Sequence, residues 1–204
     1  MEKTPLITRW DDRYKTEDYV FGTEPNDFLA EVASQVPKGK VLCLADGEGR
    51  NGVYLAELGH RVTSVDASGV ALDKARQLAN ERSVSLTFEQ ADLNDYSLGD
   101  AAWDCCVSIF FHMPHEMRRA MHRKIMQAMR PGGYLILEAY TPAQLAFGTG
   151  GPPVEELLMT LELLREDFAG LNFLIGREIE RDVREGKGHA GHSSVVQVLA
   201  QKPQ

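Results

Sequence analysis

Residues 41–52, Val41-Leu42-Cys43-Leu44-Ala45-Asp46-Gly47-Glu48-Gly49-Arg50-Asn51-Gly52, carry the clearest fold signal in the chain. An apolar run ends at Ala45, a glycine-rich turn follows, and residues 51–58 have helical spacing. The turn matches the pattern G-x-G-x-x-G, in which glycines let the backbone approach a ligand and the helix start offers free N–H groups to an anionic part of it. Arg61–Asp66 is the next candidate strand, so this region predicts a strand–helix–strand unit.

Strands and helices continue to alternate on both sides of this unit. The predicted helices cover about residues 26–36, 68–82 and 114–129, and the further strands about residues 84–90, 103–110 and 134–138. Pro131-Gly132-Gly133 is predicted as a turn before the last of these strands. This alternation predicts a parallel sheet with helices on both faces.

The end of the chain departs from this order. A helix over about Val154–Phe168 is followed by two candidate strands, Phe173–Val183 and Ser193–Gln201, and the connection between them is too short for a crossover helix. These strands should therefore pair as an antiparallel hairpin. The predicted fold class is α/β, a Rossmann-like doubly wound sheet of seven mostly parallel strands with a C-terminal antiparallel hairpin.

Composition sets the class of protein. The chain has 204 residues and a formal charge of −8, from 22 Lys and Arg against 30 Asp and Glu. Its length predicts one domain, 1–204, with an N-terminal segment (1–25), a βα core (26–140) and a helix with the hairpin (141–204). The absence of basic blocks argues against a nucleic-acid partner. No apolar run approaches the ~18 residues of a membrane span, and residues 1–10 lack a signal-peptide core, so we expect a cytoplasmic protein without a membrane partner.

Neither metal-ligand spacing nor a disulfide framework is present in the sequence. Cys43, Cys105 and Cys106 lie in apolar runs, which predicts buried thiols and no metal site. The sequence carries no signal for the oligomeric state.

Asp66 indicates which ligand the glycine turn serves. It follows Gly47 by 19 residues and ends the second predicted strand, where a carboxylate can accept both hydroxyls of a ribose. An ordinary strand-end carboxylate is the alternative for Asp66, and a tight turn without a ligand is the alternative for the glycines. Two cofactors use the ribose arrangement, a nicotinamide dinucleotide and S-adenosylmethionine.

Later residues separate these two cofactors. A short-chain dehydrogenase needs Tyr-x-x-x-Lys, and none of the six tyrosines has a lysine four residues on. A two-domain dehydrogenase needs a longer chain, whereas a C-terminal hairpin is typical of methyltransferases. A nicotinamide-dependent oxidoreductase and a non-catalytic S-adenosylmethionine-binding regulatory protein stay open as alternatives.

The ordered motifs resemble the class I S-adenosylmethionine-dependent methyltransferases over nearly the whole chain. They are the residues 41–51 quoted above, Val65-Asp66-Ala67-Ser68, Ala91-Asp92-Leu93, Trp103-Asp104 leading to Ser108, and Arg130-Pro131-Gly132-Gly133. More narrowly, the segments 19–26, 49–51, 111–114 and 185–192 resemble the tellurite-resistance (TehB-like) branch, near the thiopurine methyltransferases.

This resemblance implies roles for individual residues. The turn would border the methionine part of the cofactor, the end of the second strand would bind ribose, Asp92 and Leu93 would hold adenine, and Ser108 and Ile109 would line the methyl-transfer centre. The full set of implied cofactor-binding residues is Ala45, Asp46, Gly47, Gly49, Asn51, Asp66, Ala67, Ser68, Asp92, Leu93, Ser108 and Ile109. For Asp92 a turn cap is the alternative.

Two positions depart from the family pattern, and the N-terminal segment has an implied role of its own. The sequence has Cys43 where the family usually has an acidic residue and Ala45 where it has glycine, which leaves Asp46 or Glu48 as candidates for the missing acid. By resemblance, residues 1–25 fold over the cofactor as a lid. Tyr14, Tyr19 and Phe21 are the lid and substrate candidates within it.

The chemistry expected of such a site is in-line displacement of a methyl group from a sulfonium. Positioning and exclusion of water supply most of the rate, and a general base is needed only for hydroxyl or amine acceptors. His112 is the candidate base, with a histidine bonded to nearby backbone as the alternative. His189, near Lys187, is the candidate for binding an anionic acceptor, and a solvated loop histidine is the alternative. We expect a small-molecule acceptor, either a soft anion, including a tellurite-like oxyanion, or a thiol.

Overall fold

The computed structural model describes residues 5–204, with side chains from Ile7 onward; the first four residues of the predicted lid lie outside this range. Within it, one sheet of seven strands has the order β3-β2-β1-β4-β5-β7-β6. The strands are β1 (Lys40–Leu44), β2 (Arg61–Asp66), β3 (Thr87–Gln90), β4 (Trp103–Ile109), β5 (Met129–Tyr140), β6 (Asn172–Glu185) and β7 (His189–Gln201). Strands β1 to β5 are parallel, and β7 pairs antiparallel with both β5 and β6. The predicted fold class and hairpin are therefore confirmed.

Residues 5–204 contain six α-helices. They are α1 (Pro5–Tyr14), α2 (Asp27–Val32), α3 (Arg50–Glu57), α4 (Gly69–Glu81), α5 (His115–Ala128) and α6 (Leu161–Asp167). Asn26, Ser68 and Thr160 accept hydrogen bonds from backbone N–H groups in the first turns of α2, α4 and α6. No helix in residues 5–204 has both the length and the apolar character that a membrane crossing requires.

The core lies on both faces of the sheet because β1 alternates its side chains between two apolar clusters. Leu42 and Leu44 pack with α5 on one face, and Val41 and Cys43 pack with α2 on the other. Full burial of one such side chain contributes roughly 1.5–3 kcal/mol. All three cysteines are buried and free, as the sequence predicted.

One predicted helix is wrong. Residues 154–168 contain a short 3₁₀ turn, Glu155–Leu157, then an extended stretch, and only then α6. Leu158 and Met159 are buried, and the Met159 N–H donates to the Tyr140 carbonyl at 3.0 Å, which draws this stretch against the end of β5. Tertiary hydrogen bonding overrides the helical spacing here.

Two further predictions need correction. The predicted Pro131-Gly132-Gly133 turn lies within β5, which starts at Met129 and changes register opposite Trp103 and Cys105. The lid segment contains α1, which the sequence analysis did not predict.

Candidate active site

The strand order places the candidate cofactor residues in one row. Asp92 follows β3, Asp66 ends β2, the glycine turn follows β1, and Ser108 lies near the end of β4. Leu44 of β1 is in register with Val65 and with Ser108, so these strand ends are level. At about 4.8 Å between strands, the row is roughly 14 Å long, close to the length of an extended nucleoside with an amino-acid arm.

The glycine turn adopts the left-handed conformations that its sequence allows. Gly47 has φ of +57° and Gly49, the N-cap of α3, has φ of +84°. A Cβ on Gly49 would lie 2.6 Å from the Cβ of Ala75 on α4, so glycine is required for close helix packing as well. Ala45 also has a positive φ, +49°, at the position where the resemblance expects glycine.

Asp66 holds the glycine turn and the start of α4 together. Its Oδ2 accepts from the Gly47 N–H at 2.9 Å and its Oδ1 accepts from the Ser68 N–H at 2.8 Å. The Ser68 hydroxyl caps α4 and donates to Asp11 of α1 at 2.6 Å. Burial raises the pKa of Asp66, and the hydrogen bonds from Ser68 and Gly47 oppose this shift. A carboxylate has about four lone-pair sites, so Asp66 keeps capacity for ribose hydroxyls.

Both candidates for the missing acid already have hydrogen-bond partners within the protein. Asp46 points into the protein, where it accepts from the Ser64 hydroxyl at 2.8 Å and from the Gly52 N–H at 3.3 Å. Glu48 accepts from the N–H groups of Val20 and Phe21 and pairs with Lys74. Asp46 thus supports the glycine turn, Glu48 holds the lid, and a role of either acid toward the cofactor stays a prediction.

Asp46→Asn should make stability less sensitive to pH. Burial raises the pKa of Asp46 from 3.8 to about 7, so the folded protein binds more protons than the unfolded chain between these pH values, and wild-type stability falls as pH rises through them. The variant lacks this loss. We therefore expect the free energy of unfolding of the variant, measured in urea and taken relative to wild type, to increase by about 2–4 kcal/mol between pH 4 and pH 7.5. Asp100→Asn, at an exposed position, is the control. A stability difference between Asp46→Asn and wild type that does not change with pH would contradict the raised pKa of Asp46.

Asp92 and Leu93 lie beside Asp66, as the adenine prediction requires. The Ala91 N–H donates to the Asp66 carbonyl at 3.0 Å, and Leu93 is buried. Asp92 Oδ1 also accepts from the backbone and side-chain nitrogens of Asn94 at 2.9 and 2.8 Å. The turn-cap contact is thus present, and the role of Asp92 toward adenine stays a prediction.

The lid lies directly over the glycine turn. A Cβ on Gly47 would meet the Tyr14 hydroxyl at 2.9 Å, and the Tyr14 ring stacks on Trp10 with centroids 5.7 Å apart. Tyr19 lies elsewhere, because its hydroxyl donates to the Lys74 carbonyl on α4. Of the lid candidates, Tyr14 therefore covers the turn and Tyr19 fastens the lid to α4.

His112 contacts backbone through both ring nitrogens. Nδ1 lies 2.8 Å from the Leu157 carbonyl, and Nε2 accepts from the Tyr140 N–H at 3.4 Å. Burial lowers the pKa of His112 to about 4, which keeps the ring neutral. This arrangement corresponds to the backbone-bonded alternative and argues against His112 as the general base.

Four rings form an aromatic cluster beside the end of β4: Phe21, Phe110, Tyr140 and His189. The His189 ring centroid lies 4.5 Å from Phe21, 4.7 Å from Phe110 and 5.3 Å from Tyr140, and Phe110 stacks on Tyr140 at 4.4 Å. Phe110 has φ of +53°, a costly conformation for an aromatic residue, and its N–H donates to the Glu138 carbonyl. The cluster brings the lid, β4, β5 and the hairpin together.

A buried ionic network of Arg50, Glu138, Arg181 and Glu185 lies next to the aromatic cluster. Arg50, at the start of α3, bonds Glu185, and Arg181 bonds both Glu138 and Glu185. Asn26 donates to both carboxylates. Burial alone would raise the pKa of Glu185, but Arg50, His189 and Arg181 lower it to about 2. The network joins the glycine turn to the hairpin that carries His189.

No local sequence pattern pointed to Phe110, Tyr140 or this network. Arg50 and Glu185 lie in the segments 49–51 and 185–192 that carry the resemblance, and Glu138 is a charged residue at the end of an apolar run, but no local pattern joins the three. Among residues 5–204, no group of three or more His, Cys, Asp and Glu side chains is arranged to hold a metal ion.

Comparisons with known proteins agree with the motifs. Residues 41–133 match the family described as methyltransferase domain. The 2-heptyl-1-hydroxyquinolin-4(1H)-one methyltransferase of Mycobacteroides abscessus is 32% identical over 134 residues, 62% of this chain and 59% of that protein. The tRNA 5-carboxymethoxyuridine methyltransferase of Escherichia coli is 30% identical over 115 residues, 55% of this chain and 43% of that protein. The chain thus spans roughly half the length of these relatives.

Solved structures share the whole fold. A structure from work on the conversion of a disulfide bond into a thioacetal group during echinomycin biosynthesis has a TM-score of 0.78 and 22% identity, covering 97% of this chain and 92% of the other. TehB from Haemophilus influenzae has a TM-score of 0.71 and 20% identity, covering 95% of this chain and 65% of the other. At 20–22% sequence identity, the similarity to these structures shows the fold alone.

Proposed function

We propose that this chain carries a class I S-adenosylmethionine-dependent methyltransferase domain, since residues 41–133 match the family described as methyltransferase domain, and that the protein transfers the methyl group of S-adenosylmethionine to a small-molecule acceptor. The observation that carries the proposal is the row of strand ends. It brings Asp92, Asp66 and the glycine turn next to one another in the order of adenine, ribose and methionine along the cofactor, with Ser108 on the neighbouring strand end.

The residues of the row fit the cofactor. Asp66 would bind the ribose with Ala67 and Ser68 beside it, and the backbone of residues 45–49 and Asn51 would border the methionine part. Asn51 is held in place because its Oδ1 accepts from the Asn26 N–H at 2.9 Å. When bound, S-adenosylmethionine supplies an electrophilic methyl group on a sulfonium. The chain's task is then to align an acceptor with this group and to exclude water.

The aromatic cluster is our candidate acceptor site. It adjoins Ile109, which together with Ser108 is predicted to line the methyl-transfer centre. Sulfur makes favourable contacts with aromatic rings, so the cluster suits a thiol-type acceptor. The Arg13 guanidinium lies 5.1 Å from the centroid of the Phe21 ring and supplies positive charge for an anionic acceptor. These features support the soft anionic or thiol-type acceptor predicted from the sequence, a tellurite-like oxyanion included.

His189 is the titratable group we assign to this site in place of His112. Its Nδ1 lies 3.8 Å from Glu185, and its ring is enclosed by Phe21, Phe110 and Tyr140. Burial lowers the pKa of His189, against the opposing effect of Glu185, so the ring is neutral near pH 7. A neutral imidazole can accept a proton from a thiol as the methyl group is transferred.

Several observations favour a small molecule over tRNA as the acceptor. The chain has a formal charge of −8, and the cluster is covered by the lid and the hairpin. A tRNA contact needs a basic surface along the phosphate backbone. Retardation of tRNA by the protein at physiological salt would count against this part of the proposal.

Removal of residues 1–25 should weaken cofactor binding at least tenfold while the sheet stays folded. The segment contributes Tyr14 above Gly47, and its Val20 and Phe21 N–H groups reach Glu48. Loss of this cover opens the turn to water. Calorimetry gives the affinity and circular dichroism the fold; equal affinities of the intact and shortened proteins would refute the lid.

The proposed transfer is tested by incubating the protein with methyl-labelled S-adenosylmethionine and a panel of ethanethiol, selenite and tellurite. We expect the label in a methylated product of at least one acceptor, with S-adenosylhomocysteine formed in equal amount. Phe110→Ala should reduce this turnover without changing cofactor affinity, since the ring lies in the acceptor site. Tight cofactor binding without transfer to any acceptor would favour the regulatory alternative.

A further inference from the structure

Unpaired buried polar atoms concentrate around the aromatic cluster. In residues 5–204, the buried side-chain nitrogen and oxygen atoms without a hydrogen-bond partner are Tyr140 Oη, His189 Nδ1, Arg181 Nε and His60 Nδ1. The first three belong to the aromatic cluster or to the ionic network beside it, and only His60 lies elsewhere. Buried polar groups without partners cost free energy and are rare in folded proteins. Their grouping at one place points to a ligand.

Tyr140 is the most completely enclosed of these residues. It is fully buried, and its ring stacks on Phe110 and makes an edge contact with His189. A phenylalanine would pack in the same way without the hydroxyl. Packing therefore does not explain why the side chain ends in a polar atom.

Gly150 lies close to both the Tyr140 hydroxyl and His189. A Cβ on Gly150 would lie 2.8 Å from Tyr140 Oη and 3.2 Å from His189 Cδ2. Both side chains are thus near neighbours of residue 150, and a side chain larger than hydrogen there would collide with the Tyr140 hydroxyl.

The hydroxyl can act as a hydrogen-bond donor over the working pH range. Burial, followed by the nearby charges of Glu185 and Glu138, raises the pKa of Tyr140 well above its ordinary value. The two carboxylates are themselves paired with Arg50 and Arg181, so they do not repel a second anion as free charges would. A protonated phenol beside neutralised carboxylates suits an oxygen that accepts a hydrogen bond.

We propose that Tyr140 Oη donates a hydrogen bond to an anionic oxygen of the acceptor and so selects acceptors that carry such an oxygen close to the methylated atom. This inference rests on the proposed function of the site. It assigns Tyr140 to acceptor specificity, and it leaves the transfer step itself to the aligned nucleophile.

The test uses mercaptoacetate and ethanethiol, which offer the same thiol with and without a carboxylate. The wild-type protein should prefer mercaptoacetate. In Tyr140→Phe, kcat/KM for mercaptoacetate should fall about 10- to 100-fold, mainly through KM, as expected for a lost bond to a charged group. Values for ethanethiol should stay within about twofold, and the Tm of the free variant should not fall, because the substitution removes an unpaired group.

Two further variants complete the experiment. Tyr134→Phe, on the same strand and the same face but about 20 Å away, should leave kcat/KM unchanged for both thiols. Gly150→Ala, whose Cβ would lie 2.8 Å from Tyr140 Oη and displace it, should raise KM for mercaptoacetate without changing the affinity for S-adenosylmethionine. Equal losses for both thiols in Tyr140→Phe, or a wild-type preference for ethanethiol, would overturn the proposal.

Failure of the inference is distinguishable from failure of the proposed function. If ethanethiol is methylated equally well by wild type and Tyr140→Phe while mercaptoacetate shows no dependence on Tyr140, transfer stands and the inference falls. If neither thiol is methylated, the inference is tested by binding alone, by calorimetric titration of mercaptoacetate into the complex of the protein with S-adenosylhomocysteine. Binding that is lost in Tyr140→Phe supports the inference without transfer, and binding that is absent or unchanged overturns it.

Discussion

Arg181→Leu is expected to lower the free energy of unfolding by about 3–5 kcal/mol at pH 7.5, the typical effect of removing one partner from a buried ion pair. Arg181 bonds Glu138, which is fully buried, and Glu185, which is nearly so. Leucine keeps part of the apolar volume but supplies no donor. The variant would therefore contain carboxylates with too few positive partners, and urea unfolding at fixed pH measures the cost.

The pH dependence of this variant identifies the cause. Burial already raises the pKa of Glu138 in the wild-type protein, with Arg181 as the first of the groups that oppose the shift. Without Arg181 the pKa should rise further, so the folded variant takes up a proton that the unfolded chain does not. The stability of the variant should therefore increase, relative to wild type, as pH falls from 8 to 5.

Arg184→Leu is the matched control, since Arg184 lies on the same strand and is exposed. We expect a change below about 0.5 kcal/mol for it. A loss in Arg181→Leu that is no larger than in the control, or that does not depend on pH, would mean that the network contributes little. His189 should also be displaced in Arg181→Leu, because Glu185 loses one of its two arginines.

Asp66→Ala is expected to weaken S-adenosylmethionine binding by about 1.5–3 kcal/mol, or roughly 10- to 150-fold, through loss of charge-assisted bonds to the ribose hydroxyls. The same carboxylate holds the Gly47 and Ser68 N–H groups, so part of the loss reflects a loosened turn. Calorimetry with S-adenosylmethionine and with methionine separates the two contributions, because methionine has no ribose.

Asp66→Asn is the conservative variant at this position, and Asp95→Ala, at an exposed position, is the control. The amide keeps one acceptor oxygen for the backbone contacts but loses the charge, and we expect an intermediate affinity. Asp95→Ala should bind like wild type. If Asp66→Ala changes the affinity by less than a few tenths of a kcal/mol, the ribose lies elsewhere and the assignment of the strand row fails.

Local sequence patterns were sufficient for most of the fold. The glycine turn predicted a junction between β1 and α3, and the short connection predicted that β6 and β7 pair as a hairpin. The structure has both. The prediction of one helix over residues 154–168 was wrong because Leu157, Leu161 and Leu164 have helical spacing although the helix starts only at Leu161. The hydrogen bond from the Met159 N–H to the Tyr140 carbonyl belongs to no recognisable motif, and no periodicity reports it.

The site was predicted where a motif is local and missed where it is assembled by the fold. Asp66 and the glycine turn lie 19 residues apart within one strand–helix–strand unit, so their proximity follows from the sequence. The ionic network joins α3, β5 and β6, and its side chains become neighbours only when the hairpin inserts β7 beside β5. Tyr140 had no signal beyond being aromatic at the end of a strand.

Calorimetry of the purified protein with S-adenosylmethionine, S-adenosylhomocysteine and NADH in parallel tests the central claim most directly. It examines the cofactor before any acceptor is chosen. We predict that both sulfur cofactors bind at one site per chain and that NADH does not. Binding of NADH in place of the other two would contradict the account, and it would reassign the glycine turn and Asp66 to a nicotinamide dinucleotide.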